Sequence, residues 1–355
     1  MYKKNPEFRI PGHPSCGWVA EFRILKIFTL LSIAGLLSLM FVLKSVAENP
    51  KKRFSGTRLL MGTTVEVIIV DDNEKVARKA INDAFSAMER IDRLMSNFKE
   101  DSDISKINRG AGIEDVAVDG DVIEVIRKSI YYSEISDGAF DITVGGAEEL
   151  YDFGNGGKLP EEHKFKNAVK DIGYKNIRVK GNTIHFFKKG TKLDLGGIAA
   201  GYAVDKGIEA IKMCGINNAL INAGGDIRAI GESENGQWKV GVLHPREDDR
   251  LKDTLLLKNL SVATSGDYRK YFISGGKRYH HILNPTTGLS TEGIQSVTVV
   301  APLAVDADAL STAVFVLGKK RGMELIERLK DVEGIIIDSD GKVIYSSGIN
   351  KYILH

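Results

Sequence analysis

Apolar and polar positions divide the chain into segments of two periods. From Glu74 to Met95, the residues Val76, Ala80, Ala84, Met88, Ile91 and Met95 recur at steps of three or four, which places them on one face of a helix. The same spacing predicts a helix over 121–136, ended by Gly138, and another from the Gly196-Gly197 pair to about Met213, stopped by Gly215. Two more are expected over 306–317 and 319–329. β-Branched runs predict strands at 59–70, 176–179, 183–187, 218–222, 238–243, 255–257 and 296–301. A closing hairpin, 335–345, turns at Asp340-Gly341. Helices and strands alternate irregularly and many strands adjoin, so the fold class expected is α+β, with mixed or antiparallel sheets and packed helices.

One stretch fits neither period. Ile27 to Leu43 is an apolar, charge-free run of about 17 residues, preceded by Lys3, Lys4, Arg9, Arg23 and Lys26 and closed by Lys44. The basic side stays cytoplasmic. Ser45-Val46-Ala47 offers a small-x-small cleavage site. An uncleaved anchor and a removed signal peptide both fit, and either exports the body. The expected organisation is a cytoplasmic leader, 1–23, an anchor or signal segment, 24–47, a polar linker, 48–57, and one catalytic domain, 58–355. The body would lie on the periplasmic, extracytoplasmic side of the inner membrane.

Charge alters this picture little. The net +2 comes from the leader and anchor, so the body is close to neutral, with no electrostatic footprint for nucleic acid. Cys16 and Cys214 are the two cysteines, too few for a disulfide framework or a cysteine metal site.

Candidate chemistry gathers in five segments. Asp308 and Thr312 are four apart in DADALSTA, so a helix presents a carboxylate and a hydroxyl side by side, hard ligands suited to Mg²⁺; helix capping is the alternative. KLDLGGIAAGY sets glycines between a strand-like run and a helix start, a place for a phosphate or a tight turn. NAGGD at 222–226 is a weaker case of the same kind. His281, before a Pro-Thr-Thr-Gly turn, is a general base or a structural histidine. Asp141, in DGAFDIT, caps a loop or binds a ligand.

Together the blocks MGTTVEV, DGAFDITVG, LDLGGIAAGYAVD, NAGGDI, SVATSGDYRKYF, HHILNPTTG and DADALSTA resemble, in order, those of the FAD:protein FMN transferases, the ApbE family. The resemblance spans essentially the whole exported body. It implies a bilobal flavin-transferase fold with FAD held by Met61, Phe98, Ala139, Phe140, Asp141, Asp194, Ala200 and Ile282. Phe98 and Ala200 depart from the tyrosine and the polar residue that many relatives carry. It implies Mg²⁺ on the Gly197 carbonyl, Asp308 and Thr312, with His281 as catalytic base. The reaction implied moves FMN from FAD to a Thr or Ser hydroxyl of an acceptor protein, an exported domain of a membrane redox complex, and releases AMP. FAD hydrolysis to FMN and AMP, and non-catalytic FAD binding or delivery, are the competing readings.

Overall fold

The computed structural model describes residues 51–153, 157–247 and 250–355. In chain order these form β1 (Lys52–Leu60), β2 (Thr63–Asp71), α1 (Glu74–Met95), α2 (Asp103–Gly110), β3 (Val116–Ala117), α3 (Gly120–Ile135), α4 (Gly145–Glu148), α5 (Glu162–Ala168), β4 (Ile177–Lys180), β5 (Thr183–Phe186) and α6 (Ala199–Met213). There follow β6 (Ala219–Ala223), β7 (Asp226–Ile230), β8 (Trp238–Leu243), β9 (Leu251–Leu257), β10 (Leu260–Gly266), β11 (Tyr271–Ser274), β12 (Lys277–His280), β13 (Ile294–Ala301), α7 (Ala304–Arg328), β14 (Glu333–Asp338) and β15 (Val343–Tyr345).

Eight strands make one sheet in the order β1-β2-β6-β7-β10-β13-β14-β15. Every neighbouring pair is antiparallel. Sheet order therefore repeats chain order, and the helices and small hairpins are insertions between adjacent strands. This is the α+β fold expected from the irregular alternation. Alternate residues of β2 serve two cores. Val65, Val67 and Ile69 pack with Ala80, Ala84 and Met88 of α1 and with Val204 and Ile208 of α6. Ile68 and Val70 pack with Trp238, Val240, Leu255 and Leu257 of the β8–β9 hairpin. Strands covered on both faces lose their alternation: β13 is buried at all eight positions, Gln295, Ser296 and Thr298 included.

Sequence and structure differ at three places. The sheet begins inside the stretch expected to be linker, because Lys52–Leu60 pair with β2 from Lys52↔Asp71 onward. Its polar composition is that of an edge strand; one side still packs, since a Cβ at Gly56 would sit 2.8 Å from Ile81. The strand expected over 59–70 is a hairpin, turned by Met61 at φ 54° and Gly62 at φ 71°. Left-handed backbone at both turn residues fits a two-residue hairpin turn, and methionine in place of Asn or Asp hid it. Strands β3, β7, β10, β11 and β12 and helices α2, α4 and α5 went unread because they are short and interrupted by glycine or polar residues. The break expected near 318 is present: Gly318, at φ 76° and ψ 176°, kinks α7. Among the described residues no helix is long and apolar enough to cross a membrane; the expected leader and anchor lie outside the described residues.

Candidate active site

Antiparallel register collects the connections at one end of the sheet. Val65 pairs with Ala223, Ala223 with Asp226, and Gly266 with Ser296. The Met61–Gly62 turn, the Gly224-Gly225 turn and the segment after Gly266 therefore share that end. The Gly224 amide donates to the Thr64 carbonyl at 3.2 Å. A Cβ on Gly224 would meet Thr63 Oγ1 at 2.4 Å, so the two turns touch through a position only glycine can fill.

Helix α7 brings Asp308 and Thr312 against the start of α6. The Gly201 amide, in the first turn of α6, donates to Asp308 Oδ2 at 3.0 Å. A Cβ at Gly201 would lie 2.4 Å from the Ala304 carbonyl oxygen, and one at Gly197 would lie 3.1 Å from Thr312 Oγ1 and 3.4 Å from Phe140. Thus Phe140, Gly197, Asp308 and Thr312, expected together from the sequence, do meet. Thr312 Oγ1 is 3.2 Å from Ser265 Oγ, which is 2.8 Å from Ser311 Oγ. Asp205, buried, fixes the start of α7 by accepting from the Ala304 and Val305 amides at 2.9 and 3.0 Å, and Arg228 neutralises it at 2.6 Å.

The electrostatics of this corner are unbalanced. Burial, then the nearby Asp226 carboxylate, raises the Asp308 pKa well above the ordinary carboxylate range. Burial also pushes Asp226 up, to about 7, against the pull of Arg269. Among the described residues no cluster of three or more His, Cys, Asp or Glu side chains forms a metal centre. The donors here are two carboxylates, neighbouring hydroxyls and the chain at Gly197. That all-oxygen set has the chemistry of a Mg²⁺ site.

The two adjacent histidines have separate fates. His280 is buried; its Nδ1 accepts from the Ile282 amide at 3.3 Å, its Nε2 faces the Thr291 carbonyl at 2.8 Å, and its ring meets Phe315 edge-on. Both nitrogens are engaged, so His280 is a structural residue. His281 has a buried Nδ1 with no partner. Burial first, then Lys270 and His280, pushes its pKa down to about 4, so the ring is neutral at pH 7.

Asp194 accepts from Asn97 Nδ2 and from the Gly196 amide, both at 2.6 Å. Burial, and then Asp194, push the nearby Glu148 up to about 8. The Asn97 bond tethers the loop that carries Phe98, whose ring is 96% exposed. Ala139 and Phe140 follow the left-handed Asp137-Gly138 exit from α3. The Asp141 carboxylate is taken up by its own loop: it accepts from the Thr143 amide and hydroxyl and from the Tyr174 amide. Ile282 is buried, its amide on His280 and its carbonyl on the Thr291 amide. Ala200 is half-buried in the first turn of α6.

The ApbE family model matches residues 61–336. A Vibrio cholerae protein named FAD:protein FMN transferase is 30% identical over 339 residues, covering 92% of this chain and 98% of its own. The chain belongs to the ApbE family. A Treponema pallidum ApbE relative of the same name is 28% identical over 318 residues, covering 84% of this chain and 88% of its own. The crystal structure of the ApbE protein of Thermotoga maritima superposes with a TM-score of 0.79 at 34% identity, covering 86% of this chain and all of its own. Within this ApbE fold, sequence reasoning missed Asp205, Asp226 and Glu148. Asp205 and Asp226 lay in quoted blocks, but a lone Asp after glycine or helix carries no spacing signal. Glu148 gave none.

Proposed function

We propose that this FAD:protein FMN transferase requires Mg²⁺, takes a Thr or Ser hydroxyl of an acceptor protein as nucleophile, and releases AMP. The observation that carries the proposal is the all-oxygen corner of Asp226, Asp308, Thr312 and Gly197, in which two carboxylates crowd each other, on the same sheet end as a histidine with an unpartnered nitrogen.

Gly197, Asp308 and Thr312 would hold Mg²⁺, which supplies charge neutralisation at the FAD phosphates. Helix α6 begins beside them without a side-chain cap, and its Gly201 amide already holds the Asp308 carboxylate there. Phe98 and Met61 offer apolar surface for the flavin. The acceptor oxygen attacks the phosphorus on the FMN side and gives its proton to His281. The new P–O bond forms as the bond from that phosphorus to the bridging oxygen breaks, and the bridging oxygen leaves with AMP. Burial first, and Lys270 second, make His281 a weak base; a phosphate beside Lys270 offsets the second of these and moves the imidazole part of the way back toward its ordinary pKa. Such a base contributes roughly 10²–10⁴-fold.

The test is incubation of the protein with FAD, with and without Mg²⁺, and with or without exported flavin-binding domains as acceptors. AMP formed with Mg²⁺ and acceptor, with an FMN-sized adduct by mass spectrometry, is the expected result. AMP without acceptor would replace transfer by hydrolysis, and no AMP in any arm would reduce the protein to an FAD carrier. The N-terminal basic leader and apolar run support an extracytoplasmic, membrane-associated body, the placement we propose for the enzyme.

A further inference from the structure

The charges of the proposed site leave a deficit. Asp226 and Asp308 together cancel one divalent cation, so the two negative charges of the FAD pyrophosphate need positive partners elsewhere. The arginines nearby are largely committed: Arg246 holds Asp267 by two bonds of 2.7 and 2.6 Å, and Arg278 lies 3.8 Å from the same carboxylate. Arg269 differs. It is exposed and, among the described residues, forms no salt bridge; it draws on the Asp226 carboxylate and approaches the Tyr268 ring at 5.8 Å.

Its position is prepared by a glycine. Gly225, at φ +111°, leaves open the space a Cβ would fill, and Arg269 Nη2 lies 3.0 Å from that point. The guanidinium therefore rests at the mouth of the Asp226–Asp308 corner. Lys270 next to it takes the other side. The His281 amide donates to the Lys270 carbonyl at 3.1 Å, continuing the ladder in which Tyr271 pairs with His280, so Lys270 and His281 share a face.

Building on the transferase reading, we infer that Arg269 is the leaving-group clamp, a catalytic residue whose planar fork, poised over Gly225 at the Asp226 corner, binds the AMP-side phosphate of FAD while Lys270 lies beside His281. As the P–O bond to the bridging oxygen breaks, negative charge collects on AMP. A guanidinium matches two phosphate oxygens in a way an ammonium does not.

The test compares wild type with Arg269→Ala and Arg269→Lys, each with Mg²⁺, by titration with FAD, AMP and riboflavin. Arg269→Ala is expected to lose about tenfold or more in AMP and FAD affinity and roughly 10²–10³ in turnover, with riboflavin affinity unchanged. Millimolar guanidinium should restore part of the turnover. Arg269→Lys should fall between the two and serves if the alanine variant does not fold. Equal losses for AMP and riboflavin, or AMP affinity unchanged in both variants, would overturn the clamp. Failure of the wild type to bind FAD with Mg²⁺ would instead overturn the functional reading beneath it.

Discussion

Asp308→Asn should make the metal-free protein more stable while abolishing Mg²⁺-dependent turnover. Without a cation the wild type buries two carboxyls close together, and both resist ionisation. Asp226 has its pKa raised from 3.8 to about 7. Between those values the folded state keeps a proton that the unfolded state has released, so stability falls as pH rises through the window. The slope is at most about 1.4 kcal/mol per pH unit for one group, and about 4 kcal/mol over the whole range. Asp308 is shifted in the same direction by burial and by Asp226. Asparagine keeps the shape and can still accept from the Gly201 amide, but it carries no charge. A gain of about 1–3 kcal/mol at pH 8 follows, or several degrees in Tm for a domain of this size. The assay is thermal unfolding from pH 5 to 8, in EDTA and in excess Mg²⁺. The variant should melt higher than wild type in EDTA at pH 8, with the gap closing toward pH 5. Mg²⁺ should raise the wild type, by about 2.7 kcal/mol at a hundredfold excess over Kd, and leave the variant unmoved. A variant that melts below wild type at every pH, or gains equally from Mg²⁺, would refute the reasoning.

Three further outcomes are expected. His281→Ala and His281→Asn should bind FAD yet lose about 10²–10⁴ in transfer rate; His280→Ala should keep much more activity but unfold about 2–4 kcal/mol more easily, read by rates at saturating FAD and by urea melts, and a loss under tenfold in His281→Ala would move the base elsewhere. Met61→Asn should stabilise the β1–β2 turn by about 0.5–1 kcal/mol while weakening FAD binding; unchanged FAD affinity would remove Met61 from the flavin site. An alkaline phosphatase fusion after His355, active only outside the cytoplasm, should be active, and a silent fusion would reverse the proposed topology.

Much of this was legible in the sequence because periodicity and burial agree. The α1 pattern of Ala80, Ala84 and Met88 marks a helix face and also the close approach those small residues permit. The pair Asp308 and Thr312 was readable because a helix makes spacing into geometry. Asp226 was not, since its meeting with Asp308 depends on sheet register between distant segments. The separation of His280 from His281 was likewise invisible: adjacent identical residues differ only in which one finds Thr291 and Phe315. Asp141 shows the reverse case. The sequence marked it as important, and the structure assigns its carboxylate to holding the loop of Thr143 and Tyr174.

The agreement of sheet order with chain order has a kinetic consequence. The long helical insertion leaves β2 and returns at β6, where the Val70 amide meets the Asn218 carbonyl at 2.9 Å. Pairing these strands closes a loop of well over a hundred residues, an entropic cost near 4 kcal/mol that must be met before the contacts reward it. β2 and α1 cover each other only in part and α6 completes the core over both, so this closure and the docking of α6 are coupled. Refolding should therefore be slow for the protein's helix content, and its rate-limiting step should be the one that first assembles the cleft. Flavin fluorescence and sheet formation would then report a single relaxation, and a newly made chain would be unable to capture FAD until its sheet is complete.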